Sequence, residues 1–325
     1  MRDETGRHRV ALEESSLDFR SLDAGTLENR LEDLSDTFAL VSSAGHSVVV
    51  HPWLWSDVEC LDGVPIHAFL FGQSPVRVSR DVKLRLAAHL DRSPMWPDTA
   101  EGGVDKIRLT RADAGVPPID IDIALSLGVA AADPRIEHLA LLAFGDPARG
   151  EWWKIEGPSG SANAFRFGDA RRLVTFWRYL FEAEDVPEAD FFSICVPAFP
   201  DLIFHDDLRF GRFDGDYLGI RSKVVSILGA LNDHFSRLVV EHSGVPSGVS
   251  AAFGSHGVDL SPESSKTRSS SKLMALRTVQ FEGEAVSVEW HAKLEPHRNR
   301  IHFSLPMGHR EGRILIGIFV DHLPT

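Results

Sequence analysis

Two imidazoles, an ammonium and a guanidinium recur at strand spacing within the final fifty or so residues of this 325-residue chain. In residues 286–294, His291 and Lys293 hold odd positions, while Val286, Val288, Trp290, Ala292 and Leu294 hold the even ones. In residues 299–305 the parity reverses, with Ile301, Phe303 and Leu305 apolar against Arg300, His302 and Ser304. Such alternation marks half-buried antiparallel strands, because successive side chains leave opposite faces of a sheet. The short link EPHRN allows a hairpin, which makes the strands neighbours and gathers His291, Lys293, Arg300 and His302 on one face. Metal-free cleavage of RNA through its 2′-hydroxyl needs such a set. A base takes the 2′ proton, a cation stabilises the phosphorane, and an acid protonates the leaving 5′ oxygen. Histidine titrates near neutrality, arginine grips phosphate with two parallel bonds, and lysine adds a point charge. A simpler reading uses the same residues. On a solvated sheet face, Glu289, Lys293, Arg300 and His302 would be cross-strand ion pairs, and the HRNR run at 297–300 a polar turn.

The elements that must position this face are partly readable. The final run RILIGIFV is apolar on both parities, as a strand covered on both faces should be, and Gly317 within it permits a close approach. The longest helical pattern is 217–241, with Ile220, Val224, Ile227, Leu228, Leu231, Phe235, Leu238 and Val239 on one broad face. A Gly/Ser-rich stretch, 243–272, reads as a flexible loop. Further upstream, 27–40 reads as a helix capped by Thr26, Ser79 opens another through Leu90, and 169–184 carries a third. Strand-like runs fall at 46–55, 66–72, 119–129, 138–144, 151–157, 190–199 and 201–210. The Pro/Gly-rich stretch 94–118 reads as a long connection. These elements give an α+β class. Residues 1–16 form a disordered tail, and 17–200 an acidic region that could split near 94–118. A helix-plus-antiparallel-sheet module occupies 201–325.

The order W-H-x-K-L, then R-I-H-F, then RILIGIFVDHLPT resembles the strand core of RelE/HigB-type bacterial toxins, over about fifty residues. That resemblance implies a ribosome-dependent mRNA endonuclease, a toxin or phage-defence effector with a protein partner such as an antitoxin. Carried over by position, it implies that Lys293, Arg300 and neighbouring Arg298 bind phosphate. His302 and His291 would exchange protons, and His322 would stand where the family often has a basic C-terminal end. The whole chain also looks similar to large uncharacterised bacterial proteins, which adds no activity.

Charge and composition bound the alternatives. The net charge is −13, yet from Ser265 onward nine Lys and Arg stand against six Asp and Glu, with five His besides. Whole-surface nucleic-acid binding is therefore excluded, while a local basic face is not. No apolar run is long enough for a membrane span, and the first residues lack the apolar core of a secretory signal, so a cytoplasmic protein is expected. Cys60 and Cys195 read as buried free thiols. No zinc-ligand spacing, Walker motif, dinucleotide fingerprint or GxSxG is present, so neither metal nor cofactor is expected. His205, Asp206, Asp207, Asp214 and Asp216 form the other dense constellation. They could hold a divalent cation, but a turn closed by Asp216 as a helix cap explains them more simply. Two function classes thus stand: a RelE-like metal-independent endoribonuclease, or a non-enzymatic protein whose sheet binds nucleic acid or an acidic partner.

Overall fold

A computed structural model describes residues 9–72, 75–96, 107–111, 117–121, 124–144 and 151–324. The chain is an α+β protein that divides into two compact units, 1–176 and 177–325. The division falls inside the helix Leu173–Ala183 rather than near residue 200. Residues 190–199, read as a strand, contain the helix Phe191–Ala198. Its buried residues Phe191, Ile194, Cys195 and Ala198 recur every three or four positions, a helical stripe that a dense apolar run disguises. The same disguise hides the helix Ile66–Phe71, which buries Ile66, Phe69 and Leu70.

The first unit is built on a six-stranded mixed sheet. Its strands are β1 (Val10–Leu12), β4 (Ile107–Thr110), β5 (Ile119–Ile121), β6 (His138–Leu142), β7 (Glu151–Gly157) and β8 (Gly160–Phe167). A separate small ribbon joins β2 (Glu59–Leu61) to β3 (Val64–Pro65). The sheet order is β1-β6-β8-β7-β4-β5, with β1, β6 and β8 mutually parallel and the rest antiparallel. One layer of its core gathers Trp153, Leu139, Leu141, Ile155, Leu109 and Ile107. Two expectations fail here. Residues 10–12 are a buried strand rather than part of a disordered tail, since three apolar residues can add a parallel strand yet are too few to show a period. Residues 1–8 lie outside the described residues. The stretch 94–118 does not split the unit either, because β4 within it pairs with β7. The first helix is Ala24–Ser43, and its cap is Asp23, whose carboxylate accepts from the Thr26 amide at 2.8 Å.

The second unit carries the five-stranded sheet β10-β13-β14-β15-β9. Here β9 is Leu202–Phe204, β10 Asp259–Pro262, β13 Trp290–Glu295, β14 Arg298–Phe303 and β15 Ile314–Val320. A separate hairpin joins β11 (Thr278–Phe281) to β12 (Glu284–Ser287). The alternating run 286–294 is therefore two strands, broken at Val288 and Glu289, with its parity kept. Trp290 and Phe303 on the apolar face pack against Phe235, with ring centroids 5.3 and 5.0 Å away. Phe235 ends a π-helical turn, Leu231–Phe235, that interrupts the long helix between Tyr217–Ala230 and Ser236–Glu241. Asp216 caps that helix, accepting from the Gly219 amide at 2.7 Å.

Stretch 243–272 is ordered rather than a flexible loop. It holds the helix Pro246–Gly254, strand β10, and the helical turns Ser265–Arg268 and Ser271–Ala275. Serines that read as linker composition are caps, with Ser264 and Ser270 accepting from the amides of Thr267 and Leu273. No described helix is long and apolar enough to cross a membrane.

Candidate functional site on the C-terminal sheet

Register decides which side chains meet. In the β13–β14 pair His291 lies opposite His302, and Lys293 opposite Arg300. Opposed residues share a face, so the four do gather on one side, with Trp290, Ala292, Ile301 and Phe303 on the other. A turn at Pro296–His297 closes the hairpin, and Glu295 pairs with Arg298 at 2.6 Å across it. β15 follows as an interior strand. A Cβ on Gly317 there would meet Val288 Cγ1 at 2.7 Å, so the glycine makes room for a side chain of its own unit.

The histidine end of the polar face is not solvated, whereas Lys293 and Arg300 are half-buried. His302 is fully enclosed and His291 is 7 % exposed. Their rings sit 5.2 Å apart, centroid to centroid. Beside them Glu263 and Arg277, both buried, are contributed by the segment expected to be a flexible loop and by the residue just before β11. Arg277 Nε approaches Glu263 Oε1 at 2.6 Å, a close charge contact that lacks the direction of a hydrogen bond. Its other two nitrogens donate to the carbonyls of Leu273 and Pro324. His291 Nδ1 stands 3.7 Å from the same Glu263 oxygen.

Burial leaves both imidazoles neutral. Desolvation holds His302 down to about 3, helped by His291 and by the Arg277 and Arg300 charges. Desolvation likewise lowers His291 to about 4, with Arg300, Lys293 and Arg277 adding to it and Glu263 opposing. A general acid needs a proton it can release at working pH, and the single N–H left on a neutral imidazole is far too weak an acid for that.

The remaining expected residues fall in different settings. Lys293 pairs with Asp259 at 2.9 Å, and Arg298 with Asp214 and Glu295 at 2.6 Å each. Arg300 is half-buried and has no carboxylate partner among the described residues, and its Nε is buried without a hydrogen bond. His322 is exposed beyond the end of β15 and is not joined to the histidine pair by any bond among the described residues. In the other constellation His205 takes backbone partners, Gln280 O and Asp207 N, while Asp214 pairs with Arg298 and Asp216 caps its helix.

A second polar cluster, in the first unit, went unread because its sequence, EESS, looks like a polar tail. Glu13 and Glu14 follow β1 at the carboxyl end of the parallel strands β1, β6 and β8, the end where open α/β sheets place ligands. Arg166 grips Glu13 with two bonds of 2.6 and 2.8 Å, all of it buried. Glu14 Oε1 accepts from the Ser126 hydroxyl at 2.7 Å and its amide at 3.1 Å, while Oε2 is buried without a partner. Desolvation pushes Glu14 up to about 7.

No protein-family model, curated protein or solved structure matches this chain.

Proposed function

We propose that the C-terminal unit is a non-catalytic RNA-binding module that takes phosphate at Arg300. One observation carries this reading. Of the three cations expected to bind phosphate, Arg300 alone has no carboxylate partner among the described residues, while Lys293 and Arg298 are spent on ion pairs. The Arg300 Nε is buried, but a half-buried guanidinium without a carboxylate partner can offer its accessible N–H groups to a phosphate oxygen. Lys293 lies directly across the hairpin from it and adds charge to the same patch. RelE-like cleavage is the weaker reading, because a scissile phosphate would have to reach His302, which is fully enclosed.

The test is a fluorescence-anisotropy titration of labelled single-stranded RNA, with the same RNA run on a gel for cleavage, alone and with translating ribosomes. Wild type should bind and leave the RNA intact. Arg300→Ala should weaken binding about tenfold, the scale of one charge-assisted contact, at unchanged thermal stability. RNA cleavage that disappears in His302→Ala would replace this reading with the endonuclease. Absence of RNA affinity in wild type would overturn both, and affinity for acidic peptides instead would move the surface to a protein partner.

A further inference from the structure

The buried end of the same sheet face holds an arrangement that phosphate binding does not use. We propose that Glu263, His291 and His302 form a binding site for a divalent transition-metal ion of the zinc class. One ligand atom from each of the three lies within 4.8 Å of the other two, and all three residues are buried. A tetrahedral ion with bonds of about 2.0–2.1 Å holds its donors roughly 3.3–3.4 Å apart. The 3.7 Å between His291 Nδ1 and Glu263 Oε1 is already close to that spacing.

Unmet hydrogen-bonding capacity converges here. His291 Nδ1 and His302 Nε2 are both buried without a hydrogen bond, and Glu263 Oε1 beside them meets only the Arg277 charge, without hydrogen-bond direction. Unpartnered buried polar atoms are uncommon, and two imidazole nitrogens in one cluster call for a shared cause. His302 also carries the arrangement that orients a metal ligand. Its Nδ1 lies 3.3 Å from the Val288 carbonyl oxygen, which fixes the proton on Nδ1 and leaves the Nε2 lone pair outward. Two ligands sit on paired strands in register, and the third is held by the Glu263 amide donating to Glu289 O at 3.0 Å. The donors are thus fixed by sheet hydrogen bonds rather than by a mobile loop.

The surrounding charges set the selectivity. Arg277, bound to the Glu263 carboxylate, opposes any cation at this point. A hard ion that needs several oxygens gains too little from one carboxylate to overcome that repulsion, whereas two imidazoles favour zinc, cobalt or copper. The site should accordingly take Zn2+ and Co2+ and ignore Mg2+ and Ca2+. This inference stands apart from phosphate binding at Arg300, and neither outcome decides the other.

The test uses the full chain stripped with chelator and then titrated with Co2+, followed by visible ligand-field absorption, with Zn2+ content measured after gel filtration. One tightly held Zn2+ per chain, a Co2+ spectrum displaced by Zn2+, and loss of both in His302→Gln are expected. Should His302→Gln fail to fold, the wild-type spectrum still decides, since a protein without Co2+ bands overturns the proposal. The stacked surface rings of His234 and His256, 4.0 Å apart, are the competing location. A Co2+ signal lost in His256→Ala but kept in His302→Gln would overturn the assignment.

Discussion

Replacing Glu14 by Gln should make the first unit less sensitive to the rise from pH 4.5 to about 7, by an amount that follows from its surroundings. The carboxyl is fully buried, with one oxygen bonded to Ser126 and the other without a partner. Removal from water therefore dominates, and the folded-state value rises from 4.5 to about 7. Folded protein thus keeps a proton between those values that the unfolded chain has lost. Stability from this group is fully present below about pH 4.5 and is lost as pH rises through about 7. At about 1.4 kcal/mol per pH unit, the full effect is about 3 kcal/mol. A neutral amide of the same shape removes the dependence and can still accept from Ser126. Denaturant unfolding of both proteins from about pH 5 to 8.5, with hydrogen exchange in β1 and β6 to locate the effect, measures it. The variant should gain on wild type as pH rises, approaching about 3 kcal/mol. Parallel stability profiles across that range would refute the assignment of a protonated buried carboxyl.

Two further substitutions probe the elements that hold the sheet. Gly317→Ala places a methyl 2.7 Å from Val288 Cγ1 and should destabilise the second unit by about 1–3 kcal/mol in chemical denaturation. Val288→Ala should recover part of that loss in the double variant, and strictly additive effects would contradict the contact. Asp216→Ala removes the side-chain acceptor from the Gly219 amide and should cost about 1 kcal/mol by the same measurement, with no change if that cap is dispensable.

How far the sequence can be read differs between pattern and environment. Alternation in 286–294 and 299–305 is enough to gather His291, Lys293, Arg300 and His302 on one face, because strand parity is a local property, while the register that sets His291 opposite His302 and Lys293 opposite Arg300 is seen only in the sheet. Alternation could not show that the histidine end of that face is buried, since that depends on Glu263 and Arg277 from a stretch whose serines cap helical turns. Dense apolar runs such as 66–71 and 191–198 fit either period, and tertiary packing chose the helix. The Glu13–Arg166 pair links residues far apart in the chain and leaves no local signal. Charge counts misled in a similar way. Arg268, Arg277, Lys293, Arg298 and Arg310 are taken up by carboxylates, which leaves Lys266, Lys272, Arg300 and Arg313 without a carboxylate partner among the described residues, and of these only Arg300 lies on the sheet face.

The central claim concerns Arg300, and a salt-dependent RNA titration tests it most directly. With wild type and Arg300→Ala measured side by side, the plot of log affinity against log salt should lose about one phosphate contact's worth of slope in the variant. Its affinity at low salt should fall about tenfold, and neither protein should cut the RNA. Equal slopes and equal affinities for the two proteins would contradict the account.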